Sequence, residues 1–236
     1  MEWLGLGAAG AVGLAAYAVR APSCTWLAPS VHRGDPGRSA IALTFDDGPS
    51  ESTPVLLEIL SRDGVRATFF QCGALADRNP DLARMVSNQG HEIGNHTYHH
   101  AHLWLRSHSF IDNEVTKAQR TLERIHGHAP RYFRAPYGVR WLGLREVQKR
   151  NGLLGIMWTA LGRDWTLPAA RIAERLTVRA SPGAIFCLHD GRALAPNPDI
   201  LETIGAVRLL IPRLRDQGYR FETISEILCP KTTHGA

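Results

Sequence analysis

Residues 41–49 read Ile41-Ala42-Leu43-Thr44-Phe45-Asp46-Asp47-Gly48-Pro49. Five strand-forming residues run into two carboxylates, and a Gly-Pro pair breaks the run. The same grammar repeats downstream. Strands are expected at Ala67 to Gln71, His91 to Asn95, Arg131 to Phe133, Leu153 to Trp158, Ala184 to Leu188 and Tyr219 to Phe221. Helices are expected between them: Pro54 to Arg62, Pro80 to Asn88, Leu144 to Lys149 and Pro168 to Arg179. Ile111, Val115, Ala118, Leu122 and Ile125 recur at three and four and mark a long helix ending near Gly127. Ile200, Ile204, Val207 and Ile211 mark another, stopped by Gly218. Seven strands alternating with helices predict an α/β fold with a parallel sheet and right-handed crossovers.

The polar residues choose the architecture. Asp46-Asp47, His96 to His100, Arg134, Asp164 and His189-Asp190 each follow an expected strand. In a (β/α) barrel the C-terminal strand ends converge on one face, and that face carries the site. An open doubly wound sheet would use a crevice between two strands, not five. The expected fold is therefore a barrel of seven parallel strands.

The chain has 236 residues, of which 44% are hydrophobic, and carries a net charge of +5. That excludes a disordered or fibrous chain. Of its 27 basic residues only Lys117, Lys149 and Lys231 are lysines. The arginines are scattered over expected helix faces rather than interleaved with aromatics, so no nucleic-acid partner is expected. Affinity for anionic lipid or wall polymer is the sharper alternative to a solvated basic surface.

Trp3 to Val19 is uncharged and rich in glycine and alanine. Its seventeen residues would span about 25 Å as a helix, at the short end for a bilayer. Residues 1–20 are read as a short hydrophobic helix and membrane anchor. A signal cleaved after Ala16-Tyr17-Ala18 is the second reading, and a buried helix the third. Residues 21–39 read as a linker, 40–229 as the barrel domain and 230–236 as a tail. Arg20, Arg33 and Arg38 place the domain in the cytoplasm by the positive-inside tendency, which conflicts with an envelope substrate. The side of the membrane and the oligomeric state stay open.

Four of the eleven histidines fall between His96 and His102. His96 and His100, at i and i+4, share a face on a helical turn and can grip one metal ion. With Asp47 they form a two-histidine, one-aspartate set that leaves positions open, as catalytic zinc sites do. His99 points elsewhere, and His102 and His108 read as surface residues. Asp46 can take a proton from water while Asp47 binds metal, if the Gly48-Pro49 turn brings both to the mouth. The competing reading is an aspartate cap for the helix near Pro54. His189, at the end of an apolar strand, is the natural general acid.

Thr44-Phe45-Asp46-Asp47-Gly48-Pro49, His96-Thr97-x-x-His100, Arg134-x-Pro136-Tyr137 and Leu188-His189-Asp190 together resemble the polysaccharide deacetylases of carbohydrate esterase family four, in order and spacing over about Ala40 to Leu228. The resemblance implies a distorted barrel and metal-dependent removal of N-acetyl, or O-acetyl, groups from sugars. It assigns Asp47, His96 and His100 to a divalent metal, zinc first, with cobalt or nickel able to substitute. It makes Asp46 the base and His189 the acid, and has Arg134 hold Asp46. The Arg134-x-Pro136-Tyr137 motif belongs to the substrate-binding wall, where the Tyr137 N–H helps stabilise the oxyanion. Trp165 would shape the pocket for the acetyl methyl group.

One position departs from the pattern. The family often has an aspartate four residues before the motif tryptophan to orient the histidine, and here that residue is Leu161. Asp164 is expected to take the role, unless it only caps the helix near Pro168. Cys187, two residues before His189, is expected to face the site, and Cys72 to be buried. Cys24 and Cys229 could pair if the domain is exported. The expected function is a metal-dependent carbohydrate N-deacetylase, membrane-tethered at a bacterial envelope. Its candidate substrates are peptidoglycan, a chitin-like oligosaccharide or a lipid-linked sugar. Deformylation of a lipid-linked amino sugar and a non-catalytic carbohydrate-binding barrel are the alternatives.

Overall fold

A computed structural model describes residues 13–229. Residues 13–20 are helical (α1), and the short strand β1 (Ser30–Val31) follows. The first half of the domain runs β2 (Ala40–Gly48), α2 (Thr53–Arg62), β3 (Thr68–Gln71), α3 (Gly73–Arg78), α4 (Pro80–Asn88), β4 (Glu92–Asn95) and α5 (His108–His126). The second half runs β5 (Tyr132–Phe133), α6 (Leu144–Arg150), β6 (Leu154–Ile156), β7 (Ala160–Leu161), α7 (Ala169–Val178), β8 (Ala184–His189), α8 (Leu201–Asp216), β9 (Arg220–Phe221) and α9 (Ile224–Leu228). All the ladders between these strands are parallel. The strand order is β1-β6-β5-β4-β3-β2-β8-β7, with β9 paired to the start of β2. Among the described residues no ladder joins β1 to β7, so the sheet curls into an incomplete, distorted barrel.

The pleat of β2 explains its sequence. Ile41, Leu43 and Phe45 face outward into the largest core, packing with Leu56, Leu57 and Leu60 of α2 and with Ile172 and Leu176 of α7. Ala40 and Ala42 face the barrel interior, in a cluster with Phe70, Ile156 and Ile185. Ile224 and Ile227 of α9 join that cluster and close the barrel beneath the strands. Period-two alternation then carries Thr44 and Asp46 inward at the opposite end. Burying both faces requires the near-continuous apolar run seen in the sequence.

Three expectations are corrected. Nine strands form where seven were expected, because β1 and β7 have only two residues each and carry no readable alternation. Ser30–Val31 lies in the stretch read as a linker, yet it pairs with Gly155 and Ile156 of β6. Cys24 and Cys229 do not pair, and all four cysteines are free thiols. The anchor expected over residues 1–20 falls largely outside the described residues, as does the tail 230–236. No helix among the described residues is long and apolar enough to cross a membrane.

Candidate active site

The carboxylates at the end of β2 are separated by a backbone reversal. Asp46 stays in the strand, while Asp47 has φ 71 and swings out of it. Room for this comes from two glycines. A Cβ at Gly48 would collide with the Asp190 carboxylate, and one at Gly191 with the Asp47 carbonyl. Positive φ in non-glycine residues is costly and tends to gather at functional sites. Here it occurs at Asp47, Thr97, His100, Leu105, Tyr137, Arg163 and Ala193, and all but Leu105 belong to or adjoin the site.

Asp47 Oδ1 lies 3.2 Å from His96 Nε2 and 2.9 Å from His100 Nε2. Its other oxygen accepts the Ala193 N–H at 2.9 Å. Burial alone would raise the Asp47 carboxyl, but hydrogen bonds and charge from His100 and His96 outweigh it and hold the carboxyl well below the usual carboxylate range. All three side chains are buried and offer ligand atoms within 4.8 Å of one another. His96 Nδ1 faces the Arg134 carbonyl oxygen at 2.7 Å. A carbonyl only accepts, so Nδ1 carries a proton, and Nε2 is the ring atom turned toward Asp47. Two imidazole nitrogens and a carboxylate oxygen gathered at one buried point suit a divalent metal.

The turn carrying the histidines is braced from below. Asn95 Oδ1 accepts the Thr97 N–H at 2.9 Å, while Asn95 Nδ2 donates to the Val115 carbonyl and to Gln119. Glu114 accepts from the His99 N–H and binds His99 Nδ1, so His99 is tied to α5 rather than to the ligand set. The ring of His102 packs on Tyr137, and His108 begins α5.

Arg134, at the end of β5, is completely buried. One guanidinium nitrogen donates to Asp46 Oδ1 and Thr44 Oγ1, each at 2.7 Å. The others donate to the carbonyls of Ile156 at 3.1 Å and Met157 at 3.2 Å. The guanidinium also lies over the Phe70 ring, 4.1 Å from its centre. Asp46 Oδ2 accepts the Cys187 thiol at 3.4 Å, and burial pushes that thiol well up from its ordinary value.

His189 Nδ1 lies 2.8 Å from Asp164 Oδ1, and Thr203 and the His189 N–H occupy Asp164 Oδ2. Burial alone would lower the His189 pKa. The charge and hydrogen bond of Asp164, with Asp47 and Asp46 adding, lift it to about 9. A group that must donate a proton is then competent below about 9 and lost as pH rises through that value. Asp164→Asn removes the anion that holds the proton, so the alkaline limb of kcat/KM is expected to move to lower pH. An unmoved limb would show that Asp164 does not tune His189. Leu161 lines the cavity, and the partner of His189 Nδ1 is Asp164.

Both groups open into one cavity of about 640 Å³, lined also by Tyr137, Gly138, Trp158, Trp165 and Arg192. Trp165 presents its face or edge to His189 with ring centres 5.2 Å apart. Tyr137 is half exposed and packs on His100, while Pro136 before it is buried. Sequence reasoning gave no role to Asn95, Glu114 or the carboxylate of Asp190. Burial, reinforced by Asp47 and Asp46 and opposed by Thr53, pushes Asp190 up to about 7 beneath the Asp46–Gly48 turn. The adjoining Leu188-His189-Asp190 run was the only signal for it.

A parallel α/β barrel with an aspartate–histidine–histidine cluster and an aspartate–histidine pair at one cleft defines a hydrolase class of site. Comparison with known proteins narrows the class. Residues 33–156 match the model of the polysaccharide deacetylase family. A chitooligosaccharide deacetylase of Azorhizobium caulinodans is 35% identical, over 79% of this chain and 93% of that protein. A peptidoglycan-N-acetylglucosamine deacetylase of Bacillus cereus is 34% identical, over 86% and 92% respectively. The crystal structure of the Bc1960 peptidoglycan N-acetylglucosamine deacetylase superposes with a TM-score of 0.79 at 31% identity, covering 83% of this chain and 91% of that one. The chain belongs to the polysaccharide deacetylase family.

Proposed function

We propose that the protein is a metal-dependent hydrolase that removes N-acetyl groups from a carbohydrate of the bacterial cell envelope. The observation that carries this reading is the shared cavity. Asp46, the Asp47–His96–His100 cluster and His189 all face it, with the buried Asp164 behind His189. A divalent cation held by Asp47, His96 and His100, most simply zinc, supplies Lewis-acid polarisation of the acyl carbonyl and a water of lowered pKa.

The chain's own residues do the rest. Asp46, held by the Arg134 guanidinium, takes a proton from the attacking water. His189, held in one tautomer by Asp164, gives a proton to the departing amine. Without that proton the amine would be a poor leaving group. Attack of water on the acyl carbon and cleavage of its bond to nitrogen yield acetate and a free amino sugar. The Tyr137 N–H supports the charge that develops on the carbonyl oxygen. Trp165 and the buried Cys187 bound the space for the acyl methyl group. The names of the relatives support chitin-like oligosaccharides and peptidoglycan as substrates. A lipid-linked sugar, or a formyl in place of the acetyl group, needs the same chemistry. Attachment to the membrane belongs to the uncharged run Trp3 to Val19.

Acetate release from defined N-acetylated glycans tests the reading. Release lost with a chelator and restored by zinc is expected. A zinc-loaded protein that frees no acetate or formate across peptidoglycan, chitin and lipid-linked fragments would instead be a carbohydrate-binding barrel.

A further inference from the structure

The stretch before β1 is fastened to the site by two arginines. The Arg140 N–H donates to the Val19 carbonyl at 3.0 Å, and its buried guanidinium donates to the carbonyls of Ala21 and Cys24. Arg145 donates to the carbonyls of Thr25 and Trp26, each at 2.9 Å. Val19 and Cys24 are buried beneath these contacts. Arg140 lies two residues after the Pro136–Gly138 turn, so the clamp ties the N-terminal segment to the loop that carries Tyr137. The consequence is that Arg20 and Pro22 line the same cavity as Asp46, Asp47 and His189.

Arg20 is exposed and its guanidinium makes no hydrogen bond or ion pair with any described residue. A second guanidinium reaches the cavity from the loop between β8 and α8. Arg192 donates to the Asp164 carbonyl at 3.0 Å, while its Nη1 is buried with no hydrogen-bond partner among the described residues. The carboxylates of the cavity cannot neutralise this pair. Asp46 is engaged by Arg134, and Asp47 by the two histidines. An exposed guanidinium and a second one with an unpartnered, buried Nη1, both lining the cavity, can receive an oxyanion, since the guanidinium fork matches carboxylate and phosphate geometry.

We infer that the substrate is an N-acyl amino sugar carrying an anionic substituent, a carboxylate or a phosphate, and that Arg20 and Arg192 hold that anion. The inference rests on the deacetylase reading for the reaction, but not for the binding. Arg20 sets specificity, and Arg192 couples the anion to the loop around Asp164.

The test uses the zinc-loaded full chain and three substrates of similar size. One is a neutral chitooligosaccharide, one an N-acetyl amino-sugar oligosaccharide with a carboxylate ether, and one an N-acetylglucosamine 1-phosphate ester. A charged substrate is expected to be preferred by about tenfold in kcat/KM. The preference is expected to shrink as ionic strength rises. Which charged substrate wins separates a glycan carboxylate from a phosphate-linked donor. Arg20→Ala is expected to lower the ratio of charged to neutral kcat/KM, chiefly through KM, and Arg20→Glu to lower it further. An unchanged ratio in both variants overturns the inference. Calorimetry with the charged, already deacetylated amino sugars reads the subsite without catalysis. Binding that depends on Arg20 in a protein that frees no acetate keeps the subsite and sinks the deacetylase reading. Acetate release with binding indifferent to Arg20 does the reverse.

Discussion

Arg134→Leu is expected to cost about 3–5 kcal/mol of stability as well as activity. At about 2–4 °C per kcal/mol for a domain of this size, the midpoint of thermal unfolding falls by roughly 6–20 °C. The reason is that Arg134 satisfies four acceptors from a fully buried position: Asp46, Thr44 and the carbonyls of Ile156 and Met157. Leucine fills the space over Phe70 but donates nothing. Among the described residues the Asp46 carboxylate would keep only the weak Cys187 thiol as a donor. An uncompensated buried carboxylate is the costly species, more than the loss of the pair itself. The double variant Arg134→Leu with Asp46→Leu therefore recovers part of the stability while staying inactive. If the single variant unfolds within about 1 kcal/mol of the parent, the ion pair is not a structural keystone. Arg134→Lys will not rescue it, because an ammonium lacks the planar fork that reaches Asp46, Thr44 and two carbonyls together.

The neighbouring carboxylates are expected to fail in different ways. Asp46→Asn should lower kcat by about 10²–10⁴, the usual worth of a positioned general base, with KM little changed. It should keep its zinc, because its side chain lies on Arg134 and outside the ligand set. Asp47→Asn should instead lose zinc to a chelator that the parent resists. Amide for carboxylate removes the only anion facing His96 and His100 among the described residues. Elemental analysis of both variants beside steady-state kinetics separates the roles. Loss of metal from Asp46→Asn, or retention by Asp47→Asn, would exchange or merge them.

Much of the fold was legible because each strand is bounded by turn residues and each long helix shows its period. The apolar spacing from Ile111 to Ile125 appears in α5 as its buried face. Gly127 ends that helix with φ 76, as a glycine stop should. The short strands β1 and β7 escaped because a two-residue strand has no pattern to read. Their place is set by the neighbours they pair with, β6 and β8. The linker reading of residues 21–39 failed for a related reason. Proline and glycine there signal irregular backbone correctly, but not that Arg140 and Arg145 would bind its carbonyls.

The sequence by itself determined the parallel α/β plan and the chemistry available at the strand ends. Alternation along β2 commits Asp46 to the interior, and the histidine pair was legible as a donor set. His96 and His100 lie, however, on an irregular loop with Thr97 and His100 at positive φ, and not on the expected helical turn. Only the tertiary structure decided which groups meet. Asp164 sits against His189 across 25 positions of chain, and Asp47 meets the histidines across about fifty. Such partners are chosen by barrel curvature and by strained turns such as that at Asp47, neither of which has a local signature. Arg20 and Pro22, read as the end of an anchor and the start of a linker, became part of the cavity wall because the buried Arg140 binds the carbonyls around them.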